Sequence, residues 1–369
     1  MNDKFNIENE DNMEKEKKSK IKKILVNLTI FILLIILTFS LVLKDQDVSQ
    51  IFSVAAKVKK QYILFAVLAM SIYILGEAVN ITRILKELGE KSKLISNIRY
   101  TLIGFFFSAI TPAASGGQPM EIYYMHKDDI SVANSTLALL MQLCSLQIVT
   151  ITVGTISAVI HFEVLKSGLI YLLILGIILN SSALMLLIIA IFSKKLSEGL
   201  IKLAVKLLKF FRIPNVEKKQ EKLEKELESY QTSAKYIKEH KILMLKTVIT
   251  TVIQMIAYYS VPYWIYLAFG LTEYNIFEIL TLQAVLYATV SGIPSPGAVG
   301  VSEGGFLGIF RNVFPETIIS SAMLLTRGAN FYLFIIISAI IVMISTFREK
   351  RIEKKQMQET EVLTEKSEK

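Results

Sequence analysis

Apolar residues along the chain are grouped in long uncharged blocks and do not alternate with polar ones. A helix needs about 20 apolar residues to cross the hydrocarbon core of a bilayer, and most of the blocks reach that length. A shorter stretch, Gln61–Gly76, becomes long enough if it continues through Glu77 to Thr82. The pattern predicts an all-α polytopic membrane protein. The blocks are Ile24–Leu43, Tyr100–Met120, Val132–Ile160, Gly168–Phe192, Thr247–Thr272, Ile279–Ser302 and Gly328–Phe347.

Composition and charge support this interpretation. Hydrophobic residues make up 53% of the 369 positions, and the mean hydropathy is +0.49. The net charge of +9 could indicate binding to nucleic acid. The basic residues, however, are concentrated at the ends of the apolar blocks, as in Lys15–Lys23 and Arg348–Lys355. That distribution is typical of the cytoplasmic loops of membrane proteins, so we expect no nucleic-acid partner.

Residues that commonly bind metals are few and scattered along the sequence. The single cysteine, Cys144, lies within an apolar block, and His126, His161 and His240 are far apart. The sequence has neither the spacing of a metal site nor a disulfide framework. We therefore expect no metal and no cofactor.

The distribution of charge divides the chain into two halves. The most basic segments outside the blocks are the two tails and the stretch 193–246, so all three are predicted to be cytoplasmic. Both tails mix Lys and Glu with few apolar residues and are predicted to be disordered. The predicted organisation is a tail at 1–23, a transmembrane domain at 24–347 with halves at 24–192 and 242–347, an amphipathic and charged linker at 193–241, and a tail at 348–369.

The cytoplasmic positions of these three segments orient the spans between them. In the first half, residues 100–125 must begin and end on the cytoplasmic side. In the second half, residues 277–315 must begin and end on the outer side. Each half then contains one apolar segment that enters and leaves by the same face, and the two faces are opposite. The sequence predicts two halves of inverted topology, with about six full spans and two re-entrant helical hairpins broken by Gly and Pro.

The two predicted hairpins share helix-breaking residues and an acid. Pro112 is followed nine residues later by Glu121, and Pro294 is followed nine residues later by Glu303. Proline removes an amide donor and glycine permits sharp reversals, so the freed backbone must be buried in protein or line a polar cavity. The alternative is two Pro-kinked helices packed for structure alone. We predict one intramembrane site formed by Pro112, Gly116, Gly117, Gln118, Glu121, Pro294, Pro296, Gly297, Gly300, Glu303 and Arg327.

Charged side chains within the apolar blocks indicate the chemistry of this site. The amino ends of re-entrant helices carry partial positive charge and free N–H groups, which suit a phosphate. Glu121 and Glu303 are costly in a membrane, so each is expected to face a cavity or a partner. Arg327 lies ten residues inside the otherwise uncharged run Thr317–Phe347. It is a candidate partner of a glutamate, a ligand of a lipid phosphate, or a residue that snorkels to the interface.

The two broken segments resemble those of a known family. Residues 111–119 read TPAASGGQP, residues 294–303 read PSPGAVGVSE, and Arg327 follows about one helix later. Together these motifs are similar to the lysylphosphatidylglycerol synthase/flippase transmembrane family, the membrane half of the multiple peptide resistance factor, over about Lys22–Arg348. In full-length members a soluble domain transfers lysine from its tRNA to phosphatidylglycerol, and the membrane region moves the product between leaflets. The resemblance implies only the flippase part here, because 22 residues follow Phe347.

Three functions are consistent with the sequence. The leading hypothesis is a cell-membrane flippase for an anionic or aminoacylated phospholipid such as lysylphosphatidylglycerol. Glu121 and Glu303 would hold a cationic headgroup or exchange a proton, and Arg327 would meet the phosphate. The second is a membrane-embedded transferase of the phosphatidylglycerol lysyltransferase type, with His126, Asp128 and Asp129 as candidate groups beside the first break. The two aspartates are also typical of a loop before the helix that starts at Ser131. The third is a membrane subunit for a separately encoded lipid synthase. Membrane phospholipids are the expected partners, no residue is assigned a catalytic role, and the oligomeric state is left open.

Overall fold

The structure is a computed structural model that describes residues 29, 53–111, 114–161, 169–195, 198–199, 202, 205–206, 216–293 and 295–348. All regular elements in these ranges are helical. Apart from Thr29, the predicted first span Ile24–Leu43 lies outside the described residues. The same holds for both predicted tails apart from Arg348, for most of the linker before Val216, and for Pro112 and Pro294.

The described residues include eleven helices. A 3₁₀ turn at Pro296–Ala298 lies between the ninth and tenth helices, and a π turn at Gly328–Tyr332 follows the eleventh. The helices are α1 (Lys60–Glu87), α2 (Leu94–Ile110), α3 (Gly117–Lys127), α4 (Val132–Ile160), α5 (Leu169–Phe192), α6 (Val216–Glu239), α7 (Lys241–Tyr259), α8 (Val261–Ala268), α9 (Ile276–Val290), α10 (Val301–Ile309) and α11 (Ile319–Arg327).

Five helical stretches are long and apolar enough to cross a membrane, and they correspond to five of the six predicted full spans. Two further apolar helices, α2 and α9, are shorter, with 17 and 15 residues. The chain is therefore an all-helical, polytopic membrane protein. The five long stretches are Lys60–Glu87, Val132–Ile160, Ile170–Phe192, Lys241–Ala268 and Ile319–Arg348.

Helix α1 illustrates how these helices face lipid. Its side chains Leu64, Leu68 and Ile72 follow one another at a spacing of four residues and are 58%, 48% and 46% exposed. Residues four apart lie on the same helix face, so α1 has a continuous apolar surface. In a bilayer this surface contacts lipid tails. The opposite face of the helix, including Met70 and Ala78, is buried against other helices.

Apolar side chains form two large cores, and each core contains residues of both predicted halves. The first joins Ile81 and Ile103 to Phe331, and the second joins Leu173 to Val285 and Phe310. The linker helix α6 is attached to the first core, where Ala234 and Ile237 are buried.

Two hydrogen bonds hold α6 in place on the first half. Tyr230 donates to the carbonyl of Ala190 (2.8 Å) and Ser233 donates to Oδ1 of Asn134 (2.8 Å). Glu221 and Lys225 form an ion pair on its exposed face, with 2.7 Å between Nζ and Oε1.

A row of polar contacts joins α1 of the first half to α7 of the second. Asn80 donates to Gln142 of α4 (2.8 Å) and to Thr251 (3.0 Å). One turn away along α1, Arg83 donates to Thr250 (3.0 Å). The rings of Tyr73 and Tyr258 pack at the other end, with centroids 5.2 Å apart. Since later residues of α1 meet earlier residues of α7, the two helices are antiparallel.

Candidate functional site

The first break separates α2 from α3. Thr111 is extended (φ −116°, ψ 144°), as expected of a residue that precedes proline. Its hydroxyl donates to the carbonyl of Phe107 (2.6 Å) and accepts from the amide of Gly116 (2.9 Å). The side chain of Thr111 therefore satisfies backbone groups that the end of the helix leaves free.

The two helices on either side of this break pack against each other as an antiparallel pair. Gly117 lies against Ser108, and Gly104 lies against the carboxylate of Glu121. A Cβ at either glycine would overlap these partners, so the close approach of α2 and α3 requires both glycines. Glu121 is only 3% exposed, and its Oε2 has no hydrogen-bond partner within the described residues.

The second break, between α9 and α10, is a turn of unusual backbone geometry. Ser295, which precedes Pro296, is extended (φ −119°, ψ 143°). Gly297 and Gly300 have positive φ angles of 59° and 86°, which L-residues rarely adopt. The backbone reverses here without continuing the helix. Helix α10 then begins at Val301.

A buried ion pair connects this turn to α11. Nε of Arg327 donates to Oε1 of Glu303 (2.8 Å), and Nη2 donates to the carbonyl of Gly297 (3.0 Å). Tyr332 also donates to Oε1 of Glu303 (3.1 Å), and the amide of Gly300 donates to Oε2 (2.7 Å). Both oxygens of Glu303 are thus bonded, and Glu303 caps the amino end of its own helix.

Aromatic rings hold the Arg327 guanidinium from another side. Its central carbon lies 4.0 Å from the ring centroid of Phe331 and 5.7 Å from that of Tyr332. Cation–π contact of this kind strengthens when water is excluded. The guanidinium is therefore fixed in position by an acid, a carbonyl and two rings.

A cavity of about 280 Å³ lies between the two breaks. Both broken segments contribute to its walls, together with α1, α7 and the Arg327 region. Arg327 is the only residue with a charged side chain among the described residues that line it. The rest of the wall combines hydroxyl-bearing and aromatic side chains with small and aliphatic residues. Its polar and aromatic lining comprises Tyr73, Phe105, Ser108, Tyr258, Tyr287, Ser291, Ser295, Ser302, Arg327, Asn330 and Phe331.

Comparison with known sequences identifies the family. A family model described as the lysylphosphatidylglycerol synthase TM region matches residues 24–338, which is more than half of the chain. The chain belongs to this family. The resemblance based on the two broken segments is thereby confirmed. No curated protein matches the chain closely enough to be named as a relative.

In this member of the family, some of the residues predicted for the site line the cavity and others pack away from it. Gly297 and Arg327 line the cavity, and Glu303 lies directly behind Arg327. Gly116 and Gly117 pack within the first hairpin and Gln118 is half-buried beside them, while Pro296 is buried in the 3₁₀ turn. Glu121 contacts Gly104 and is absent from the described cavity lining. Of the three roles considered for Arg327, the structure has the one in which it pairs with a glutamate.

The two aspartates considered for a transferase are parts of the local structure beside the first hairpin. Asp128 accepts hydrogen bonds from Arg99 and Tyr100 of α2. Asp129 adopts a positive φ of 63° in the turn before α4. Ser131 caps α4 by accepting from the amide of Asn134 (3.4 Å). Within the described residues, no group of three or more His, Cys, Asp or Glu side chains could hold a metal ion.

Several residues that line the cavity were not predicted from the sequence. The clearest are Tyr73, Tyr258 and Tyr287, whose rings form a cluster, and Asn330 in the π turn. A signal was available on α1 and α7, because polar residues recur there at helical spacing. Tyr73, Glu77 and Asn80 follow this spacing on α1, and Thr251, Gln254 and Tyr258 follow it on α7.

Proposed function

We propose that this protein is a flippase that moves an anionic or aminoacylated phospholipid, of the lysylphosphatidylglycerol kind, between the two leaflets of the cell membrane. The observation that carries the proposal is the cavity between the two broken segments, with Arg327 in its wall. Within a membrane, a fixed guanidinium beside a hydroxyl-lined cavity suits a phosphate. Membrane phospholipids are the partners that this function requires.

The proposal includes a topology of two inverted halves. The first predicted span, the five long helical stretches and the two hairpins formed by α2–α3 and α9–α10 together give six full spans and two re-entrant segments. The antiparallel contact of α2 with α3 supports a re-entrant path in the first half. In the second half, Gly305 of α10 packs against Leu286 and Val290 of α9. Both termini are placed in the cytoplasm on the basis of their positive charge.

In the proposed mechanism the headgroup passes through the cavity while the acyl chains remain in the bilayer. Arg327 binds the phosphate, and Glu303 holds Arg327 in the required position. The irregular backbone at both breaks is tolerated because it lines this cavity and does not face lipid. Glu121, Pro112 and Pro294 belong to the proposed pathway as parts of the hairpins that form its walls.

A liposome assay tests the proposal. Purified protein is reconstituted with trace phospholipids that carry a fluorophore on one acyl chain, and an external reductant bleaches only the fluorophores in the outer leaflet. With the wild-type protein, nearly all the fluorophores should reach the outer leaflet and be bleached. Arg327→Gln should strongly slow this movement between leaflets. Arg311→Gln is the matched control, because Arg311 is exposed in the loop after α10. Equal rates for Arg327→Gln and Arg311→Gln would exclude the proposed role of Arg327. A wild-type rate no faster than that of protein-free liposomes would exclude transport.

A further inference from the structure

The cavity contains hydrogen-bonding groups that the described protein does not use. A guanidinium has five N–H donors. The bonds to Glu303 and to the carbonyl of Gly297 occupy two of them at Arg327. The side chain lines the cavity, so donors beyond these two can reach a ligand there. A planar pair of such donors binds two oxygens of a phosphate.

Other groups around the cavity are also unpaired. Oδ1 of Asn330 and Oγ of Ser295 are buried and lack a hydrogen-bond partner in the part of the chain that the structure describes. Asn330 as a whole is 4% exposed. An amide oxygen only accepts hydrogen bonds, so Oδ1 of Asn330 requires a donor from a ligand or from water. Burying such a group without a partner costs free energy.

Two further residues with unpaired polar atoms line a second, smaller void next to Arg327. Gln283 and Thr326 line this void of about 20 Å³ together with Asn330 and Arg327. Oε1 of Gln283 and Oγ1 of Thr326 likewise have no partner within the described residues. The void is large enough for one water molecule or one small polar group. Oε1 of Gln283 therefore requires a hydrogen-bond donor, as Oδ1 of Asn330 does.

The acids of the two hairpins are placed where they do not meet a headgroup. Both oxygens of Glu303 are bonded, to Arg327, Tyr332 and the amide of Gly300. Glu121 faces Gly104 in the interior of the first hairpin. The cavity thus offers donors for a phosphate, and the one charged side chain among the described residues that line it is cationic.

We infer that the cavity selects a phospholipid whose headgroup carries hydroxyls and no positive charge, of the phosphatidylglycerol class, over its lysylated derivative. This inference rests on the proposed function and narrows its cargo from anionic or aminoacylated phospholipids to the anionic ones. The phosphate meets Arg327, and the headgroup hydroxyls meet the polar part of the cavity wall, in which Ser295 and Asn330 lie. The cavity volume suits a headgroup and not a whole lipid. A lysyl group would bring two ammonium groups toward the guanidinium of Arg327. All of these groups are positively charged, so they repel one another.

Two measurements on the wild-type protein separate this inference from the proposed function. The first is thermal stability in detergent with short-chain phosphatidylglycerol, short-chain lysylphosphatidylglycerol or soluble glycerophosphoglycerol. The second is the liposome assay with acyl-labelled versions of both lipids. We expect phosphatidylglycerol to raise the melting temperature most and to cross roughly tenfold faster than the lysylated lipid, since a buried polar site discriminates strongly against a mismatched group.

The outcomes are distinguishable. If lysylphosphatidylglycerol stabilises the protein as well as phosphatidylglycerol does, or crosses as fast, the inference is wrong. If soluble glycerophosphoglycerol stabilises as strongly as the lipid, the site serves a soluble phosphate, and the lipid assignment is overturned. If phosphatidylglycerol stabilises the protein but neither lipid crosses, the headgroup inference stands and transport is excluded.

A charge substitution tests the position of the headgroup. Asn330→Asp places a carboxylate at the cavity and should shift the preference toward lysylphosphatidylglycerol in both measurements. Asn312→Asp is the matched control, because Asn312 is exposed in the loop before α11, and it should leave the preference unchanged. An unchanged preference in a folded Asn330→Asp protein would overturn the assignment of Asn330. If that variant does not fold, the wild-type comparison decides the inference.

Discussion

Arg327 and Glu303 form a buried ion pair beside the second break, with 2.8 Å between Nε and Oε1 and side chains that are 8% and 0% exposed. The pair links α11 to the amino end of α10. Because Arg327 also donates to the carbonyl of Gly297, it fixes the conformation of the turn as well. This arrangement gives the cavity a rigid cation, and the charge of that cation is balanced from the side away from the cavity.

Removing the acid of this pair should destabilise the protein. Glu303→Gln leaves Arg327 buried without a counter-ion, and breaking a buried pair in this way costs about 3 kcal/mol. The measurement is thermal or chemical unfolding of the purified protein in detergent. Glu316→Gln is the control, since Glu316 is exposed before α11. The double variant Glu303→Gln/Arg327→Gln should recover part of the loss. Equal stability of Glu303→Gln and Glu316→Gln would contradict the role of the pair.

Gly104 should not tolerate even one added methyl group. A Cβ at this position overlaps the carboxylate of Glu121, so Gly104→Ala must separate α2 from α3 or displace the acid. Overpacking of this kind costs about 1–3 kcal/mol. Gly304→Ala is a sensitive control, because nothing lies within 4 Å of an added Cβ there and the change favours a helix.

The stabilities of these two variants can be compared by unfolding in detergent. Gly104→Ala should be less stable than wild type, and Gly304→Ala should be equally or more stable. Shortening the acid in Gly104→Ala/Glu121→Asp should restore part of the lost stability. A Gly104→Ala protein as stable as Gly304→Ala would show that the contact between Gly104 and Glu121 is not tight.

The polar contacts between α1 and α7 should contribute to the attachment of the two halves. Asn80→Leu keeps the approximate shape of the side chain but leaves Gln142 and Thr251 without their donor. Interhelical hydrogen bonds in membrane proteins contribute about 0.5–2 kcal/mol, so we expect a loss in that range. The companion variant Gln142→Leu should lose less stability in the Asn80→Leu background than alone. Strictly additive losses would mean that the two side chains act independently.

Much of the fold could be predicted from the sequence because a bilayer restricts the choices. Long apolar blocks must be helical, since each unpaired backbone group would face lipid. Proline and glycine then indicated where helices end, and the structure has breaks between Ile110 and Gly117 and between Val290 and Val301. The first span could not be compared, because only Thr29 of it is described.

The site was only partly predictable, for a physical reason. Breaker residues mark where backbone is freed, but the contacts of a side chain depend on which helices pack together. Glu121 and Glu303 occupy equivalent positions in sequence, yet one faces Gly104 and the other binds Arg327. Asn330 gave no sequence signal, since a lone asparagine in an apolar span is compatible with many environments. Its place beside the cavity follows from the packing of α11 against the second break.

The central claim is that the two broken segments form one path for a lipid headgroup, and filling the cavity from each side tests it most directly. Ser108 of the first hairpin and Ser302 of the second both line the cavity. Ser71 is exposed on the lipid-facing side of α1 and serves as the control position. All three are changed to Phe, and the lipid-crossing rate is measured in liposomes for variants that are monodisperse in detergent. The account predicts that Ser108→Phe and Ser302→Phe each remove most of the protein-dependent rate, while Ser71→Phe retains it. A rate that is lost with only one of the two cavity variants, or with neither, would contradict a shared path.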